Sequence, residues 1–267
     1  MFFNWWKKGR RDKLLLQPVP ATWHAILEHN VFSFAELTEA DRTCVIDYLK
    51  VFLAEKKWEA CAGFTITEEV RVTIAAQVAI LVLGLEEVEY FERVTSILVY
   101  PEVYVAQGKV QLGSGVVMEG HSAREGEAWY RGPVVLSWPE VLAGGRHESG
   151  GNLVYHEFAH QLDMLNGSVV DGVPPLASTP QYERWSTVMN QHYQTHLQAY
   201  RQGHHTFLDS YGATNIGEFF AVATESFFMR PIAFQQHYPE LYAIFRDYYR
   251  QDTAPRRLAY QQERAGE

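Results

Sequence analysis

The chain has 267 residues, 47% hydrophobic and 21% charged, enough to bury a real core in one large domain or two modest ones. Its net charge of −9 at pH 7 argues against a role coating nucleic acid, which needs a basic footprint. Two cysteines, Cys44 and Cys61, fit neither a zinc knuckle nor a redox motif; they predict a reducing, cytoplasmic setting, with both as buried small apolar residues.

The N-terminus, Met1-Phe-Phe-Asn-Trp-Trp-Lys-Lys, has no apolar core and no small-residue cleavage site, so no signal peptide is expected. The basic run that follows (Lys7, Lys8, Arg10, Arg11, Lys13) reads as a disordered tail. Thr22 to Asn30 suits a short helix, and Thr38-Glu-Ala-Asp41 a helix start. Val45, Leu49 and Phe52 then recur as one apolar stripe. Thr65-Ile-Thr-Glu68 reads as a capping box before a helix from Val70 to Leu83, apolar nearly all round, central, and ended by Gly84. The apolar stretch Val70–Leu85 carries Arg71 and Gln77 and is too short to span a membrane, so no membrane span is expected.

The pattern then changes. Ser96–Tyr100, Val116–Met118 and Pro133–Trp138 are short β-rich runs separated by Gly and Pro. Gly144-Gly145 and Gly150-Gly151 read as brackets of a loop. Helices are expected from about Asn152 to Leu165, stopped by Asn166-Gly167, from Pro180 to Gln202, from Asn215 to Met229, stopped before Pro231, and from Glu240 to Tyr249. The sum is an α+β fold: a helical N-terminal part over residues 1–93, a catalytic part with a small mixed sheet over 94–250, and a polar C-terminal tail over 251–267.

The chemistry-bearing motif is His156-Glu157-Phe158-Ala159-His160, an HExxH within the helix after Asn152. Residues i and i+4 share a helix face, so two imidazoles there can hold one zinc ion. Glu157 projects from the same turn, within reach of a water whose pKa the metal lowers, and can take its proton as it attacks a carbonyl. A catalytic zinc wants a third protein ligand and an open position. Glu218, opening Glu-Phe-Phe-Ala-Val-Ala-Thr-Glu225, is the candidate; spacing leaves open whether it is a ligand or the helix-start residue of Asn215-x-x-Glu218. Glu225, two turns on, could hold a motif histidine through its second ring nitrogen. Asp163 is a rival ligand, but its place on the same short helix favours a supporting or solvated role.

His156 to Asp163, paired with Tyr211-Gly-Ala-Thr-Asn-Ile-Gly-Glu218-Phe-Phe-Ala, resembles the Mlc titration factor A family, glucose-regulation metallopeptidases whose catalytic part is similar to that of anthrax lethal factor. The resemblance spans most of the chain, most specifically Gly132 to Met229. It implies a zincin-like catalytic domain with Zn2+ on His156, His160 and Glu218, Glu157 as base, and Tyr211 facing the metal as oxyanion donor. It further implies aminopeptidase activity on peptides, of the gluzincin type, and binding to the glucose repressor Mlc. The chain departs from the lethal-factor pattern at Val222, where a second Glu is expected; Glu225 is the substitute.

Other signals carry less. His192 and His196 are also i, i+4, but with polar neighbours and no intervening Glu they read as a solvated helix face. His204-His205, near a Gly in a loop, can reach the cleft but nothing demands it; His147-Glu148 at most lines the motif's entrance; Gly113-Ser114-Gly115 reads as a turn. Pro133–Trp138 is either a core strand or an edge strand able to pair with an extended peptide. The rival to the enzyme is a non-catalytic protein that sequesters the repressor around a structural metal. Such a site is usually closed by four ligands and has no use for Glu157.

Overall fold

The structure, a computed structural model, describes residues 2–85, 88, 90–102, 110–111, 117–118, 132–148 and 151–266. The expected turn at 113–115, Val116 and Gly150 lie outside these residues.

The basic N-terminal run is helical, not a loose tail: α1 (Phe2–Leu15) lies against α3 (Glu39–Glu55). Arg11 clamps the two, its Nε 2.7 Å from Glu55 and an Nη 3.0 Å from Glu92. Between them runs α2 (Ala21–Asn30), then a short 3-10 turn at Phe32–Phe34. Thr38 caps α3, accepting the Asp41 N–H at 3.2 Å, and Val45, Leu49 and Phe52 are fully buried. Cys44 sits on the exposed side of α3 and Cys61 is half-buried, so neither is the core residue expected. They are free thiols.

The buried helix is α4 (Glu68–Leu81), its every residue from Val72 to Leu81 out of solvent. Its cap is Thr67, two residues later than the expected Thr65, because Thr67 Oγ1 accepts the Val70 N–H. Gly84 follows the end of α4 but serves close packing: a Cβ there would lie 2.2 Å from the Tyr249 carbonyl.

Among the described residues, three strands form the main sheet in the order β1 (Lys57–Ala60), β2 (Ser96–Tyr100), β5 (Val134–Ser137). All pairings are parallel, Lys57 opposite Ser96 and Ile97 opposite Val134. The sheet is therefore parallel rather than mixed, since α4 provides the crossover that parallel neighbours need. Central β2 buries Ile97, Leu98 and Val99 in succession, as a strand covered on both faces does. β3 (Val110–Gln111) and β4 (Val117–Met118) make a separate antiparallel pair. Strand β1, unmarked by any alternation, lies before residue 93 and pairs with β2 after it.

β5 stops at Ser137, not Trp138, because Ser137 Oγ caps α5 (Trp138–Arg146) by accepting the Glu140 N–H. The Gly144-Gly145 pair thus sits in a helix, where it allows contact: a Cβ on Gly144 would lie 2.9 Å from Asn152 Cα, and one on Gly145 2.3 Å from the Asn30 carbonyl. Then come α6 (Leu153–Asp163), α7 (Thr179–Arg201), a 3-10 turn at Ser210–Ala213, and α8 (Ile216–Met229). Pro231 and Pro239 do not only stop helices; they open α9 (Pro231–His237) and α10 (Pro239–Tyr249) at first-turn positions that need no N–H. The polar tail forms α11 (Thr253–Ala265), anchored by Thr253 Oγ1 on the Phe227 carbonyl at 2.8 Å and by buried Arg257, which pairs with Glu36 and Glu148. Among the described residues no helix is long and apolar enough to cross a membrane.

Candidate metal centre

Two helices build the site. α6 starts at Asn152, whose Oδ1 accepts the Tyr155 N–H at 3.0 Å, a cap worth about 1 kcal/mol. Val154, Phe158 and Leu162 are fully buried and fix the helix's rotation. That rotation sends His156 and His160 to the opposite stripe, their ring centroids 4.9 Å apart. α8 packs against α6, where the Phe228 and Tyr155 rings meet with centroids 5.0 Å apart. Asn215 caps α8 by accepting the Glu218 N–H at 2.9 Å, while the Glu218 carboxylate points across to α6.

Glu218 Oε2 lies 3.0 Å from His156 Nε2 and 3.2 Å from His160 Nε2. The two Nε2 atoms are 3.2 Å apart. Among the described residues this trio is the one group of His, Cys, Asp or Glu whose donor atoms converge closely enough to hold a metal ion. Its chemistry fits one. His156 Nδ1 donates to Glu225 Oε1 at 2.7 Å, so a neutral His156 turns a lone pair at Nε2 toward the same spot as the His160 nitrogen and the Glu218 oxygen. Such atoms repel unless a proton or a cation lies among them, and an N,N,O set suits zinc. Burial by itself would raise the Glu218 pKa, but hydrogen bonds and charge from the two histidines outweigh it and hold the carboxyl well below its usual range.

Glu225 does what Val222, a buried apolar residue, cannot. Besides His156, it accepts the Asn152 N–H at 2.5 Å through Oε2. The Glu157 carboxylate is half-buried and close enough that its charge bears on both His156 and Tyr211. The Tyr211 ring centroid is 5.8 Å from that of His156. Burial, then the charges of Glu218 and Glu157, push the Tyr211 phenol well up, so it stays a protonated donor.

Tyr211 owes its position to a turn that periodicity does not reveal. Asp209 caps this 3-10 turn by accepting the Tyr211 N–H at 2.8 Å. His196, buried rather than solvated, reaches the Asp209 carbonyl with Nε2 at 3.1 Å and Thr206 with Nδ1 at 3.1 Å. His192 is packed against Tyr238. His147, His204 and His205 are exposed. Asp163 is neither solvated nor at the metal-binding trio. Fully buried, it accepts the Gly172 and Val173 N–H groups at 2.8 and 3.0 Å and pins that loop to the end of α6. Asn152, Asp209 and His196 are contributors that the sequence pattern did not mark; only a cap-type residue ahead of an apolar helix hinted at Asn152.

Two histidines one helical turn apart with a glutamate between them, and a carboxylate from a later helix, form the donor set of a metallopeptidase. The chain belongs to the glucose-regulated metallo-peptidase M90 family, which it matches over residues 3–250. It is 37% identical over 246 residues to an uncharacterized protein of Synechocystis sp., covering 91% of this chain and 89% of that one. It is 30% identical over 258 residues to the Mlc titration factor A proteins of Yersinia pestis and Yersinia pseudotuberculosis, covering 94% of this chain and 90% of theirs.

Proposed function

We propose that the chain is a zinc-dependent aminopeptidase of the gluzincin type, with His156, His160 and Glu218 as metal ligands. The observation that carries this reading is the convergence of two imidazole nitrogens and one carboxylate oxygen within 4.8 Å of one another. Zinc held there supplies Lewis acidity, polarising a peptide carbonyl and making a water easier to deprotonate. Glu157 takes the proton from the attacking water and passes it to the departing amine. Tyr211 donates its O–H to the oxygen that gains charge as the carbonyl carbon becomes tetrahedral. Glu225 holds His156 in the tautomer that presents Nε2 inward. Among the described residues β5 is at the sheet's edge, and it packs on α6, so an extended peptide can pair with it beside the site.

The relatives named Mlc titration factor A support a second role, in which the chain binds the repressor Mlc in the cytoplasm and so affects sugar-uptake genes. Glu157 favours catalysis over a purely sequestering protein, because a structural metal has no use for a free carboxylate beside it. The test is release of a chromogenic amine from an aminoacyl substrate, with and without chelator, alongside elemental analysis of the purified protein. Zinc near one equivalent and chelator-sensitive turnover are expected. A metal-loaded protein without turnover that still binds Mlc leaves only the sequestering role.

A further inference from the structure

α4 is buried from Val72 to Leu81 and mostly apolar there, yet Gln77 sits in that stretch with no exposure. A buried amide needs partners, and Gln77 has two. Its Oε1 accepts Asn152 Nδ2 at 2.8 Å, and its Nε2 donates to the Val141 carbonyl at 3.3 Å. Asn152 also gives its backbone N–H to Glu225, which holds His156. All four side chains are buried. An unbroken hydrogen-bonded relay thus runs from α4 through the α6 cap to a ring nitrogen of the metal-binding trio. The two glycines of α5 make room for it: a Cβ on Gly145 would lie 2.9 Å from Gln77 Nε2.

We infer that Gln77 is a positioning residue for the metal centre: by fixing Asn152, it sets Glu225 and through it the orientation of His156. An apolar residue would fill the same space, so a polar one at this depth costs stability unless its bonds serve something. The inference rests on the zinc reading above.

The experiment titrates Zn2+ into chelator-stripped full-length protein and records the absorption of the Co2+-substituted form. Gln77→Leu should weaken Zn2+ binding by about 10-fold, the low end of the loss seen when a ligand's immediate partner is removed, and should shift the Co2+ bands. Gln77→Glu keeps an acceptor for Asn152 but loses the donor to the Val141 carbonyl and buries a carboxyl group, so it should lose less Zn2+ affinity than Gln77→Leu. Val78→Ala, on the same buried helix, controls for destabilisation and should leave both readouts unchanged. If Gln77→Leu does not fold, Gln77→Met, unbranched and without an acceptor, takes its place. Wild-type affinity and spectrum in the apolar variant, or equal losses in Gln77→Glu or Val78→Ala, overturn the relay. A wild-type protein that binds no Zn2+ sinks the metallopeptidase reading instead.

Discussion

Glu225 Oε1 lies 2.7 Å from His156 Nδ1, and its other oxygen takes the N–H of Asn152, the residue that caps the same helix. One carboxylate therefore fixes both a ring and the start of the helix that carries it. Glu225→Gln keeps shape but can accept at only one oxygen, so either the ring or the cap N–H loses its partner. Zinc affinity should fall by about 10–100-fold, measured by competition with a chromophoric chelator. Undiminished affinity would show that the charge is not needed to hold His156.

The proposed base gives a sharper expectation. Glu157→Gln leaves all three donors of the trio in place, so metal content should match wild type. Turnover should drop by about 10²–10⁴-fold, the usual worth of a positioned general base, with KM little changed. Turnover at the wild-type rate in a zinc-loaded Glu157→Gln protein removes this residue from the mechanism.

Tyr211→Phe tests the oxyanion donor. The ring and its packing on His156 stay, and only the O–H goes. kcat should fall by about 10²–10³-fold with KM nearly constant, as for loss of one donor that acts mainly in the transition state. A rise in KM at constant kcat would instead mark Tyr211 as a substrate-binding residue. His196 and Asp209 hold the turn beneath it, so the same kinetic split, milder, is expected for His196→Ala.

The residues that the sequence made legible share one property: their relation is local or their pattern repeats. His156 and His160 are one turn apart, and a short spacing on a helix says where both point. The stripe of Val45, Leu49 and Phe52 and the apolar girth of α4 likewise announced burial. What stayed hidden depends on partners far along the chain. Gln77 and Asn152 are 75 positions apart, and periodicity records that a face is buried but not which polar groups meet there. His196 has polar neighbours in sequence and buried ones in space, so it read as solvated. Gly144-Gly145 read as a loop because glycine usually marks one, whereas here the absence of Cβ atoms lets a helix touch two other backbones. Pro231 reads as a terminator, although the first turn of a helix tolerates proline as well. Glu218 is the intermediate case: spacing alone permitted a cap-box role, and the family motif, not periodicity, favoured the ligand.

Asp163 offers a test of stability rather than catalysis. Burial, with the charge of Asp171 adding to it, raises its pKa to about 7, although the N–H groups of Gly172 and Val173 pull the other way. In the unfolded chain an aspartate titrates near about 4. Between these two values the folded state binds more protons than the unfolded one, so this group's contribution falls as pH rises and levels off above the folded value. Asp163→Asn has no such proton to lose. The stability of wild type relative to Asp163→Asn should therefore decline from about pH 4 to pH 7 and then stay flat, a difference that cancels the pH dependence common to both proteins. Denaturant midpoints of the two proteins across that range, compared pairwise, measure it. A difference that rises with pH means the two backbone N–H groups win over burial and that the loop at Gly172 is held by an ionised carboxylate.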